Sequence, residues 1–261
     1  MLVFLLKMCF IDGIIMIEVC YMIKEIIKEI KAIIRPTHKN AGFKVKNSHY
    51  VRMTSEEILQ CFSFQTLSDG TMFTVNFGIM PLYEVGCKWF TEPMRLGQII
   101  GEGDKWWNDS EKSVKEVSSL ILNTLIPLFD QCSTYKDYYN AVEAHIISVD
   151  EDVSHAKGLA LYCSWLPEMF CRLCLRTGHN DKAMICIHNT IRRIERSKID
   201  VDSLNDEMND YKKQYANECE SRISEQKKLE IKVLSNDISD ILEEFDNIEK
   251  ENYSIMAKYS C

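Results

Sequence analysis

Residues 58–80 read ILQCFSFQTLSDGTMFTVNFGIM, and the way the two halves of this stretch face each other decides the fold around it. Each half is a short run of aliphatic and aromatic residues broken at alternate positions by polar ones, the period-two pattern of a half-buried strand. Asp69-Gly70 at the centre is a strong two-residue hairpin signal, because both central positions of the favoured turn need φ > 0. Placing the turn there sets Thr66 opposite Phe73, Phe64 opposite Val75 and Phe62 opposite Phe77 on one face. Gln65 then faces Thr74, Ser63 faces Asn76 and Cys61 faces Gly78 on the other. A slip of one residue would mix these two sets, so the clean separation supports the register. The expected hairpin has one apolar face that must be covered. Its other face is polar and carries a glycine that leaves the backbone open.

The cover is expected from the segment before it. From Met22 the apolar residues Ile23, Ile26, Ile27, Ile30, Ile33 and Ile34 recur at helical spacing, with Lys24, Glu25, Lys28, Glu29 and Lys31 on the other side. Pro36 is expected to end this helix, since the residue before a proline is pushed out of the α region. GFKVKN and SHYVRM are two further strand candidates, joined near Asn47-Ser48. On the C-terminal side, GCKWFTEPMRLGQIIGEGDKWW reads as an irregular connection with one proline and four glycines.

Beyond it the chain turns helical. SVKEVSSLILNTLIPLFDQC and YKDYYNAVEAHIISV read as two helices split at Ser133-Thr134. HAKGLALYCSWLPEMFCRLCLRTGH and DKAMICIHNTIRRIERSK read as an antiparallel pair, with a glycine cap at Gly178 and a helix start at Asn180-Asp181. In the tail, Val201, Leu204, Met208, Tyr211 and Tyr215 form one heptad-like seam, and Ile231, Leu234, Ile238, Ile241, Phe245 and Ile248 a second. The polar SRISEQKK between them breaks the phase, so the tail is either one long helix with a stutter or two helices folded into a hairpin, and a hairpin turning at that point is expected.

The fold class expected is α+β: an N-terminal helix on a small antiparallel sheet of about four strands, followed by an all-α region of helical hairpins. Three segments are expected, 1–21, 22–148 and 149–261. The first, MLVFLLKMCFIDGIIMIEVCY, has no basic leading region, and Lys7, Asp12 and Glu18 interrupt its apolar run. That run is too short for a bilayer span of about 18 or more apolar residues, so it reads as a dispensable extension or a mis-assigned start.

Charge and cysteine usage exclude several classes. Residues 1–112 hold 13 basic and 13 acidic side chains, so 18 of the 31 basic and 26 of the 39 acidic ones follow, and the net charge of -8 sits there. Neither half offers the basic excess that phosphate neutralisation needs, so no nucleic-acid partner is expected. The eleven cysteines are odd in number and irregularly spaced, which fits reduced thiols in a cytoplasm better than a disulfide framework. Cys171, Cys174, Cys186 and His188 invite a zinc reading, but they sit in apolar helical runs without a second CxxC. Buried structural cysteines are the better reading, and no metal or cofactor is expected. No phosphate-binding glycine loop, nucleophile elbow or HExxH motif occurs. His49, Arg52, Glu102 and Asp104 could be gathered into an acid/base site, though no spacing rule connects them.

Two tryptophans, Trp106-Trp107, stand in the polar segment GEGDKWWNDS. Together with what precedes them they carry a resemblance. IKEIIKEIKAIIRPTHKNAGFKVKNSHYVRM, ILQCFSFQ, FTVNFGI and RLGQIIGEGDKWW follow one another in the order seen in the bacterial domain of unknown function 4304 family. The matching residues are Gly42, Phe43, Tyr50, Arg52, Gln65, Asn76, Gly78, Arg95, Gly97, Asp104, Trp106 and Trp107, within about residues 22–145. The resemblance implies the helix–sheet–helix order and leaves the later helices as an appended part. It implies no activity. A tryptophan pair fixed after the sheet implies that at least one indole closes the core, with the other partly exposed beside Asp104.

The functional expectation is a non-catalytic protein-interaction module of the immunity-like or regulatory kind, with a protein partner and no membrane. A monomer is favoured, and a dimer through residues 201–256 is the alternative state. The candidate binding surface comprises Arg52, Ser63, Gln65, Thr74, Asn76, Asp104 and Trp107. The rival reading is a hydrolase or nuclease with its site on the polar sheet face and the 104–107 loop. It requires Arg52, Asn76, Glu102 and Asp104 to converge.

Overall fold

The computed structural model describes residues 22–46, 48–55, 58–84, 94–144, 167–202 and 209–257. The expectations about residues 1–21, the 155–166 stretch and the tail positions Leu204 and Met208 lie outside these residues. The chain divides into two compact units, residues up to 137 together with 249–261, and residues 138–248. The sequence placed the division near 148 and kept the whole tail in the second part. The contacts divide the chain at 137/138 and give the last residues to the first unit.

The first unit opens with α1, residues 22–40. Ile23, Ile27, Ile30 and Ile34 are buried at spacings of four, three and four, while Ile33 of the same stripe is exposed. Pro36 does not end the helix, contrary to expectation. It lies on the exposed side, as does Ala32, whose carbonyl its missing N–H leaves free to meet water. The stop comes at Gly42, which takes φ +82. The Gly42 N–H bonds the Lys39 carbonyl at 3.1 Å and the Phe43 N–H bonds that of His38 at 2.9 Å, the two bonds of a Schellman cap.

The sheet contains β1 (Lys44–Lys46), β2 (His49–Met53), β3 (Ile58–Thr66), β4 (Phe73–Pro81) and β5 (Met94–Arg95), all antiparallel and in that spatial order. The two-residue β5 raises the expected four strands to five. The β3–β4 register is the expected one at every pair, from Cys61 opposite Gly78 to Thr66 opposite Phe73. The turn that sets it is longer than expected. The Leu67 N–H bonds the Met72 carbonyl at 3.0 Å and the Gly70 N–H bonds that of Leu67 at 3.0 Å, which leaves four residues in the loop. Gly70 takes φ +71, and Asp69 stays at negative φ. The Asp69 carboxylate instead accepts from the N–H and the hydroxyl of Thr71, an Asx turn that keeps the loop's two-fold centre where the two-residue turn would have put it.

The first face of the sheet carries Tyr50, Phe62, Phe64, Phe73, Val75 and Phe77, and α1 packs on it as expected. His38 meets Tyr50 edge-on at 4.7 Å, and Lys31 lies 5.4 Å from the Phe64 ring. Two further helices follow, α3 (Glu111–Leu120) and α4 (Ile126–Gln131), after the single-turn α2 (Leu96–Ile99), and α4 adds to the cover. A π-turn at Ile121–Leu125 joins α3 to α4, with the Ile126 N–H reaching back to the Ile121 carbonyl. Pro127 follows at once, and widening the helix there accommodates its missing N–H. Phe129 on α4 packs on Phe43 and Phe77 at 5.6 and 6.2 Å.

In the second unit, α6 (Pro167–Arg176) and α7 (Asn180–Asp202) form the expected pair across Gly178, and α7 also packs on α8 (Asn209–Leu234). The Lys198–Glu220 ion pair and the His188–Glu230 hydrogen bond show that α7 and α8 run antiparallel. Tyr139, from the middle of α5 (Tyr135–Glu143), stacks on His179 at 3.9 Å and on Phe170 at 5.8 Å. The tail is two helices, as expected, but α8 runs straight through SRISEQKK. The turn comes at residues 235–238, where Asn236 takes φ +54 and closes a Schellman cap on Lys232 and Val233. α9 (Ser239–Met256) follows. The expected seam holds on α9, where Phe245 is buried and Ile241 and Ile248 are half-buried, but is displaced on α8. Ile231 and Leu234 are about two-thirds exposed, whereas Cys219 and Val233 are buried. Ala216, Ile223 and Gln226, on the same side of α8 as Cys219, are half-buried, a stripe too polar in its side chains to register as a hydrophobic repeat.

Candidate functional site

The seven candidate residues divide between the two faces of the sheet. Arg52 lies on the first face, buried, beside Gln60. Its Nε donates to Gln60 Oε1 at 2.6 Å, one terminal nitrogen to the Ala41 carbonyl at 2.8 Å, and the other to the Asp130 carboxylate at 2.6 Å. Its guanidinium also lies 4.8 Å from the Phe43 ring. Gln60 in turn donates to the carbonyls of Phe129 and Cys132, the free end of α4. Arg52 is thus a clamp between sheet and helices and not part of the expected surface.

Ser63, Gln65, Thr74 and Asn76 share the second face, as the register requires. Ser63 and Thr74 are buried there, which corrects the expectation of an exposed polar face. The Thr74 hydroxyl donates to the Lys105 carbonyl at 2.9 Å, so the 97–107 loop covers this corner. Gln65 stays exposed and Asn76 half-buried, and their side-chain amides bond at 2.8 Å.

The loop is built by close backbone approach. A Cβ at Gly97 would stand 2.6 Å from both the Gly103 carbonyl oxygen and Lys105 Cβ, so only glycine lets the strands of the loop meet. The Arg95 N–H bonds Gln98 Oε1 at 2.8 Å, and Glu102 N–H bonds the Gly97 carbonyl at 2.9 Å. The loop returns to the sheet at Trp107, whose N–H and carbonyl exchange two bonds with Phe73 at 2.8 and 2.9 Å. Adjacent residues of extended chain point to opposite sides. Trp107 is therefore buried against Phe73, and Trp106 is left half-buried. One indole in the core and one beside the loop is the expected division, but the accessible one is Trp106 and not Trp107.

Arg95 sits opposite Asn76 in the register. Its guanidinium lies 4.7 Å from the centre of the Trp106 ring and pairs with the exposed Asp104 carboxylate. Gln65, Asn76, Arg95, Asp104 and Trp106 thus form one polar–aromatic edge. Behind it Lys105 is gripped by Glu102 at 2.6 Å and by Glu116. The hydrogen bonds it donates to Glu102 and then Glu116 raise the Lys105 ammonium above its ordinary value, and accepting from Lys105 holds Glu116 below the usual carboxylate range. Both effects fix charge in place.

The convergence needed for a hydrolase or nuclease is not made by these residues. Arg52 is separated from Asn76 and Asp104 by the sheet, and Glu102 is engaged by Lys105. In the second unit Cys171, Cys174 and Cys186 are buried, Cys171 donating to the Ala183 carbonyl, while His188 is exposed at Glu230. Among the described residues no group of three or more His, Cys, Asp or Glu is placed to hold a metal ion. No helix among them is long and apolar enough to cross a membrane.

No curated protein and no solved structure matches the chain. A family model does match, that of a domain of unknown function, over residues 34–131. This span runs from the last turns of α1 through the sheet and the Trp106 loop to the end of α4, so the chain is similar to the DUF4304 family over these residues and has further helices after them.

Proposed function

We propose that the protein works by binding another protein, as an immunity-like or regulatory module of a bacterial cytoplasm, and that the edge formed by Gln65, Asn76, Arg95, Asp104 and Trp106 makes the contact. The observation that carries this reading is the stacked Arg95–Trp106 pair beside the exposed Asp104. Arginine and tryptophan are the side chains over-represented at the energetic centres of protein interfaces. A guanidinium already stacked and paired loses little further freedom on binding. The surplus of acidic side chains after residue 112 argues against a nucleic-acid partner and for a basic protein surface.

The test is affinity capture from the native cells with the full chain and with its Trp106→Ala variant. A partner recovered with the full chain and lost with the variant is the expected result. Equal recovery by both, or hydrolysis of a nucleic acid or peptide by the purified protein, would overturn the proposal.

A further inference from the structure

The apolar half of the second sheet face is occupied by a segment far away in sequence. Val51, Met53, Leu59, Cys61, Met80 and Leu82 form a buried cluster, and Met256 of α9 completes it. One helical turn earlier Asn252, also buried, donates to the carbonyls of Leu82 at 2.6 Å and Glu84 at 3.1 Å. Those carbonyls lie just beyond the end of β4. Three residues earlier again, the buried Glu249 carboxylate accepts from the Tyr135 hydroxyl. Glu249, Asn252 and Met256 stand at i, i+3 and i+7, one face of a helix. Tyr253 and Ile255 flank this face and remain more than a third exposed.

From these contacts we infer that the second face is a helix-docking groove, and that its occupant is the chain's own segment Glu249–Met256, seated as a separable strap. The groove reads three features of the helix: a carboxylate for the Tyr135 hydroxyl, a primary amide for two backbone carbonyls, and a flexible thioether for the apolar floor. The family match ends at residue 131, so the apolar floor and the Leu82 and Glu84 carbonyls lie within the matched span, while Tyr135 and the occupant lie beyond it. Between residues 249 and 256 the one buried apolar side chain is Met256, whereas α1 buries four isoleucines. Segments with few buried apolar contacts open at lower free energy than the core beneath them.

Two measurements test this. The first is hydrogen exchange by mass spectrometry on the full chain. Amides of residues 250–256 should exchange at least about tenfold faster than those of Phe62–Phe64 in β3, because the strap opens without the sheet. Equal protection of both would show that the segment is part of the core and would overturn the inference. The second uses the full-length double variant Asn252→Ala/Met256→Asp and a fluorescent peptide of residues 239–257. The peptide should bind the variant about tenfold or more tightly than the wild type, whose groove is filled. A folded variant that binds the peptide no better than the wild type would also overturn it. If the variant does not fold, the exchange result decides.

Discussion

Replacing Arg52 by alanine isolates the polar clamp that joins the sheet to the helices on its first face. The change strands Gln60 Oε1 and the Ala41 carbonyl, bonded at 2.6 and 2.8 Å in the protein. Each buried group left without a partner costs about 1–3 kcal/mol. The loss of the guanidinium over Phe43 adds about 0.5–2 kcal/mol. The pair with Asp130, whose side chain is mostly exposed, adds at most about 1 kcal/mol. Arg52→Ala should therefore destabilise the protein by roughly 3 kcal/mol or more, and Asp130→Ala by less than about 1 kcal/mol. Gln60→Leu, which strands Arg52 Nε and the carbonyls of Phe129 and Cys132, should cost as much as Arg52→Ala. Urea unfolding followed by tryptophan fluorescence gives the three values. The reasoning fails if Arg52→Ala costs less than about 1 kcal/mol, or if Asp130→Ala costs as much as Arg52→Ala.

Gly70→Val should cost more than about 1 kcal/mol in the same assay, because a β-branched residue takes the observed φ of +71 only under strain; a neutral result would remove the four-residue turn. Gly97→Ala should cost about 1–3 kcal/mol and alter Trp106 fluorescence, since its Cβ has no room against the Gly103 carbonyl; unchanged stability and emission would show that the loop is looser. Burial pushes the Tyr50 phenol up to about 12. A group whose folded value is raised contributes stability that is complete below its unfolded value of about 10 and is lost as pH rises from there to about 12. Tyr50→Phe should flatten the fall in melting temperature across that window, and an unchanged slope would contradict the assignment.

The β3–β4 register was legible because strict alternation over nine residues leaves a single pairing that keeps Phe62, Phe73, Val75 and Phe77 together. Helix ends were less so. Pro36 looked decisive, yet on an exposed side its missing bond is made good by water, and the stop was written in Gly42-Phe43. The same chemistry at Asn236-Asp237 turned the tail, where a stretch of charged residues suggested a turn earlier. The site was half legible. Trp106 and Trp107 announced one core and one accessible indole, but which is which depends on the backbone pairing of Trp107 with Phe73. Arg52 and Gln60 look like surface residues in a one-dimensional reading, because their partners on α4 lie some seventy positions away. Met256 gives no local sign that it fills a gap against Cys61 and Leu82.

The central functional claim is that Trp106 and its neighbours form the contact surface. A photo-reactive phenylalanine placed at position 106 tests it most directly, with a second copy of the protein carrying it at the exposed Lys115 of α3 as the control. Irradiation in the native cells should give one discrete protein adduct from position 106 and none from position 115. No adduct from position 106, or the same adducts from both positions, would contradict the account.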